Sequence, residues 1–132
     1  MQRLALLLRV LSPIFLVVAG LHLVLGLDAD ALLGASVSPS TAAEPSLSSQ
    51  NRFYGVAFGL YGAVLYLCSK DLRAYAPFFR AAMWVFFLAG VARLVSWVQH
   101  GAPAPLVITL LATELVVPPL LLAWHAKAAN EA

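Results

Sequence analysis

Thiol is nearly absent from this sequence. Cys68 is its one cysteine, which excludes an internal disulfide framework and any metal site built from cysteines alone, and leaves that residue the role of a small apolar filler. Charge is scarce as well: eight Lys and Arg stand against six Asp and Glu in 132 residues. The basic residues form no run and no stripe interleaved with aromatics, so the electrostatic footprint of a nucleic-acid partner is missing. No phosphate-binding glycine loop, zinc-binding helix motif or dinucleotide fingerprint occurs. Ser12, Ser96 and Thr113 have no histidine and acid arranged to activate them as nucleophiles. His22 and His100 have no second metal ligand at helical spacing, so neither a metal nor any other cofactor is implied.

Apolar residues are what the chain has in excess. They make up 62% of it, and the mean hydropathy is +0.89. Soluble domains are about half apolar and a quarter charged, and a soluble core has no room for this surplus. The excess is gathered into four runs, residues 4–26, 53–69, 81–99 and 106–126. Each is near the roughly 20 residues that a helix rising about 1.5 Å per residue needs to cross about 30 Å of hydrocarbon. Backbone groups inside a bilayer must be satisfied within the segment, so the runs are expected to be helices. The first run is too long for the apolar core of a cleaved leader and is interrupted by Arg9 and His22, so it is expected to span rather than be removed.

Turn and cap residues separate the runs: Ser48, Ser49 and Asn51 before the second, residues 70–77 before the third, and residues 101–105 before the fourth. The expected fold is an all-α integral membrane four-helix up-down bundle forming a single domain over residues 1–132. Residues 27–50 form its one long loop. Within that loop, "DADALLG" suits a short helical turn capped by Asp28, and "SVSPSTAAEPSLSSQ" reads as a flexible connector.

Basic residues near span ends are retained on the cytoplasmic side. Arg3, Arg9, Lys70, Arg73, Arg80 and Lys127 all fall on one side if both termini are cytoplasmic, against Arg52 with Asp28, Asp30 and Glu44 on the other. This predicts a multi-pass protein of the cell inner membrane with the long loop outside. Trp84 and Trp124 then lie at the inner interface and Trp97 near the outer one, where indoles prefer to rest.

The polar residues within the spans converge on the outer half. Glu114 lies about 12 Å inside its span and Arg93 about 10 Å from the same surface, at the helical rise per residue. Arg52 enters at the outer end of the second span, and His22 stands about one turn below the outer end of the first. Gly90, Arg93, Ser96, Trp97 and His100 share one stripe at spacings of three and four. Arg52, Gly55, Gly59 and Ala63 share another, in a small-xxx-small pattern that admits a neighbouring helix closely. An unpaired charge at the bilayer centre costs at least about 2.5–3.5 kcal/mol. Glu114 is therefore expected to be held by Arg93, with Arg52 as a second donor. Pro118 and Pro13 leave the carbonyls of Glu114 and Arg9 without their helical donors and are expected to kink their helices there. Tyr54, Phe58, Tyr61, Phe86 and Phe87 read as packing or lipid contacts.

The stretches "GLDADALLG", "NRFYGVAFGLYGAVLY", "FFLAGVARLVSW" and "ELVVPPLLL", in this order between about residues 21 and 122, resemble a known family. It is that of small bacterial membrane proteins catalogued as domain of unknown function 4345, loosely grouped with DoxX-like four-helix proteins. The resemblance implies the four-helix fold and a characteristic polar set at Arg52, Arg93, Ser96 and Glu114, and it implies no activity.

Three classes of function are compatible with these features. In the first, Arg52, Arg93, Glu114, His22, Ser96 and Trp97 bind, or help to transport, a small amphipathic or anionic molecule taken from the outer leaflet. In the second, the ion pair is purely structural and the chain is an accessory subunit, packing into a homo-oligomer or a larger membrane complex. In the third, the chain is a small membrane enzyme using Glu114 as acid or base. Enzyme signals are the weakest of the three, and the lipid bilayer is the one partner common to all.

Overall fold

The computed structural model describes residues 1–130, and among them the ordered elements are all helical. Four long helices, α1 (Gln2–Leu25), α4 (Pro45–Lys70), α5 (Ala76–His100) and α6 (Pro105–Asn130), are long and apolar enough to cross a membrane. Two short ones, α2 (Leu27–Leu32) and α3 (Pro39–Ala42), lie in the loop between α1 and α4. The long helices run up and down as an integral membrane bundle. One end carries α2 and α3 and is the loop end; the other gathers the start of α1 and the finish of α6.

Local chemistry sets the helix limits. α1 stops at Gly26, whose φ of 60° suits a residue without a Cβ and whose N–H donates to the His22 carbonyl at 2.9 Å. α4 starts at Pro45, eight residues before its apolar run, because Pro45 takes the first helical position and the Glu44 carboxylate accepts the N–H groups of Ser46 at 3.1 Å and Leu47 at 2.6 Å. These backbone donors, Leu47 first, hold the Glu44 carboxyl below its ordinary range. The expected flexible connector is thus partly helical, since Ser38 caps α3 through the N–H of Thr41. In α2 the expected cap is displaced: Gly26 occupies the cap position and Asp28 lies in the first turn, where it complements the helix dipole.

The long helices associate mainly in two antiparallel pairs, α1 with α4 and α5 with α6. The first pair closes along a seam of small residues. A Cβ at Gly55 would stand 2.1 Å from the His22 Cβ, one at Gly59 would stand 2.9 Å from the Ala19 Cβ, and one at Gly62 would stand 2.8 Å from the Ser12 carbonyl oxygen. Gly62 therefore takes the place expected for Ala63, which is exposed. Right-handed helices that wind about each other in a left-handed supercoil keep positions i, i+4 and i+7 on the seam, and an i+8 residue drifts off it.

Two clusters join the pairs. Phe15, Phe58, Tyr61 and Phe86 form a group of rings from α1, α4 and α5 with centroids 5.1–6.4 Å apart. An apolar core of Leu4, Leu8, Leu65, Cys68, Leu72, Phe79, Met83 and Leu121 fills the half opposite the loop end. Arg93 and Glu114 lie outside that core, toward the loop end.

α1 is continuous through Pro13, and α6 through Pro118 and Pro119. Pro13 cannot donate to the Arg9 carbonyl, and the Ser12 hydroxyl donates to it instead at 3.2 Å. The residue beside the proline thus repairs the backbone locally, without a donor from another helix.

Candidate functional site: an ion pair and a polar network in the loop half

α5 and α6 meet closely at Gly90. A Cβ there would stand 3.0 Å from both the Glu114 Cβ and the Leu115 Cδ2. The missing side chain admits the stem of Glu114, and Arg93, one turn farther along α5, reaches it. Arg93 Nε donates to Glu114 Oε2 at 2.7 Å. The pair is unequally enclosed: the Glu114 side chain is 4% exposed and that of Arg93 38%.

A guanidinium has five N–H donors in a fixed fork. Here one of them, on Nε, serves the carboxylate, and the contact is single rather than bidentate. Among the described residues the two terminal nitrogens of Arg93 donate to no protein group. Ser96 follows at i+3 and is exposed; Trp97 follows at i+4 and is partly buried. Arg93, Ser96 and Trp97 therefore share one side of α5, with Glu114 behind the arginine.

Arg52 does not join this pair. Its Nη1 donates to the carbonyl of Leu23 and, at 2.9 Å, to that of Val24, while its Nε approaches Ser48 Oγ at 3.4 Å. Its guanidinium lies over Gly26, where an added Cβ would meet it at 3.2–3.3 Å. The expected second donor to Glu114 is thus a cap on the C-terminus of α1. The final carbonyls of a helix carry partial negative charge and lack intrahelical donors, and Arg52, about two turns into α4, reaches them rather than the acid on α6.

His22 belongs to another group again. Its Nδ1 lies 2.9 Å from the Val18 carbonyl and its Nε2 lies 3.4 Å from Asp30 Oδ1. Both oxygens only accept, so the doubly protonated ring satisfies both and a neutral ring only one. Asp30 Oδ2 accepts Asn51 Nδ2 at 2.5 Å. The Asn51 Oδ1 atom is buried without a hydrogen-bond partner. This network ties α2 to α1 and α4.

The six expected site residues therefore fall into two sets. Arg93, Glu114, Ser96 and Trp97 lie together on α5 and α6, whereas His22 and Arg52 work at the α1–α4 end with Asp30 and Asn51. Sequence reasoning passed over Asp30 and Asn51 as loop residues. The available signal was an acid four residues past the helix-ending Gly26, facing the first turns of the next span. It also passed over His125, which is buried, lies 3.4 Å from the Leu72 carbonyl and packs on Phe79 at 5.1 Å between centroids. Among the described residues no group of three or more His, Cys, Asp or Glu is placed to hold a metal ion.

A family model described as a domain of unknown function (DUF4345) matches residues 2–125. No curated protein and no solved structure matches the chain.

Proposed function

The chain belongs to the DUF4345 family, whose description carries no activity, and from its own residues we propose that it is a binding module for a small anionic amphiphile, engaged at Arg93 from within the membrane. The observation that carries this reading is the one-sided use of Arg93: its Nε is committed to a buried carboxylate, and its terminal nitrogens sit on a half-exposed side chain beside Ser96 and Trp97. Glu114 anchors the guanidinium and leaves its terminal edge to a carboxylate or phosphate oxygen, the partner that planar fork geometry favours. The ligand's apolar tail would lie along the lipid-facing surface of α5.

Basic residues concentrate at the end opposite the loop, which supports an orientation with both termini in the cytoplasm, the site in the outer half, and residence in a bacterial inner membrane.

The test uses purified protein in a neutral detergent with dodecyl phosphate as probe and dodecyl maltoside as the uncharged comparison. Dodecyl phosphate is expected to raise the unfolding temperature, by the equivalent of about 2.7 kcal/mol at a hundredfold excess over its dissociation constant. Arg93→Gln should abolish the shift while keeping wild-type helicity. Absence of a shift in the wild type, or an equal shift in the variant, overturns the reading.

The direct contact between Arg93 and Glu114 favours a second reading, in which the pair only fixes the register of α5 against α6 inside an accessory subunit. That reading predicts no response to the anionic probe and a stoichiometric protein partner in mild detergent.

A further inference from the structure

At the end of the bundle opposite the loop, a cavity of about 840 Å³ opens between the start of α1, the α4–α5 turn and the end of α6. Arg3, Lys70, Arg73 and Lys127 line it, together with Trp124 and, among the described residues, the acid Asp71. The four cations come from separate elements that the fold alone brings together.

The acid is already in use. Asp71 Oδ1 accepts the N–H groups of Arg73 and Ala74, each at 3.0 Å, and so stabilises the turn. Lys70 rests over the Tyr66 ring at 4.6 Å, a contact that leaves its charge uncancelled. Neither Arg3 nor Arg73 donates a side-chain hydrogen bond or joins an ion pair among the described residues. α1 begins beside the cavity with no side-chain cap on its first N–H groups, which adds partial positive charge. Retention of basic residues on one side of a membrane accounts for their presence at this end, but scattered retention does not require them to surround one cavity.

We propose that this cavity is a second anion site, selective for a phosphate group and independent of Arg93. Arginines present forked donors to phosphate oxygens, Lys70 adds point charge, and the cavity is bordered by the Trp124 indole, a side chain that favours membrane interfaces. The phosphate belongs either to a phosphodiester headgroup of the adjacent leaflet or to a soluble phosphorylated molecule; both offer the same oxygens.

The experiment measures retention of phosphatidylglycerol against phosphatidylcholine by native mass spectrometry of the full chain released from vesicles containing equal amounts of both. In parallel, glycerol 3-phosphate is titrated into the protein in neutral detergent. The double variant Arg3→Gln/Arg73→Gln is compared with wild type and with Arg9→Gln/Arg80→Gln, which removes the same charge from exposed residues outside the cavity. Each basic residue near an anionic surface contributes several-fold to affinity, so the cavity variant is expected to lose binding by roughly tenfold or more and the control by much less. Selective retention of phosphatidylglycerol identifies the headgroup as the source; saturable binding of glycerol 3-phosphate identifies a soluble one. Either result supports the site if the cavity variant alone abolishes it. Equal losses in the two variants would show diffuse charge attraction only, and no preference for either probe in the wild type would also overturn the proposal. Because Arg93 is intact throughout, failure here leaves the reading of the loop-half site standing, and the reverse holds.

Discussion

Removing Arg93 tests the unequal burial of the ion pair most directly. Arg93→Met keeps the length and apolar stem of the side chain and deletes the charge that meets Glu114 at 2.7 Å. Breaking a buried pair from one side typically costs about 3–5 kcal/mol, because the remaining charge is stranded. The stranded group is the Glu114 side chain, 4% exposed, so most of that penalty should apply, reduced because the arginine side was already 38% exposed. The expected loss is about 2–3 kcal/mol, or roughly 30- to 150-fold in the unfolding equilibrium. Glu114→Leu strands the arginine instead, and a half-exposed arginine can turn its head toward the interface, which limits the loss to about 1 kcal/mol. In the double variant neither charge remains, and two apolar side chains of similar size bring stability back close to wild type. Far-UV circular dichroism during SDS titration from neutral micelles measures all three differences. If Arg93→Met costs under about 0.5 kcal/mol, or if the double variant is as damaged as the two single losses added together, the reasoning about a stranded acid is wrong.

Gly55→Ala should lose at least about 2 kcal/mol by forcing α1 and α4 apart, since the new methyl would stand 2.1 Å from the His22 Cβ. Gly20→Ala, with nothing within 4 Å, should instead gain up to about 1 kcal/mol from helix propensity, and the same titration reads both. Glu44 has a folded-state pKa lowered by the N–H groups of Leu47 and Ser46, so its stabilisation of the α4 start is present at neutral pH and lost as pH falls through the acidic carboxylate range. Hydrogen exchange at residues 46–48, corrected for intrinsic rates, should accelerate there in the wild type, whereas Glu44→Gln should show fast exchange at every pH.

The sequence alone determined that the chain lives in a membrane, that four segments cross it, and that Glu114 shares its depth with Arg93. These conclusions follow from length, composition and helical rise, which do not depend on how helices are rotated against one another. Tertiary structure decided which polar groups meet. A helix that is apolar all round gives little periodic sign of its buried face, and only a few residues of α5 are fully enclosed, so hydropathy could not assign Arg52 to the end of α1 rather than to Glu114. The turn at Gly26 brought Asp30 back toward His22 and Asn51, and the meeting of chain segments far apart in sequence assembled Arg3, Lys70, Arg73 and Lys127 around one cavity. Small residues carry the local information for the loop-half contacts, because where Gly26, Gly55 and Gly90 lack a side chain, one from a neighbouring element fills the space. Which neighbour fills it is a property of the packed bundle.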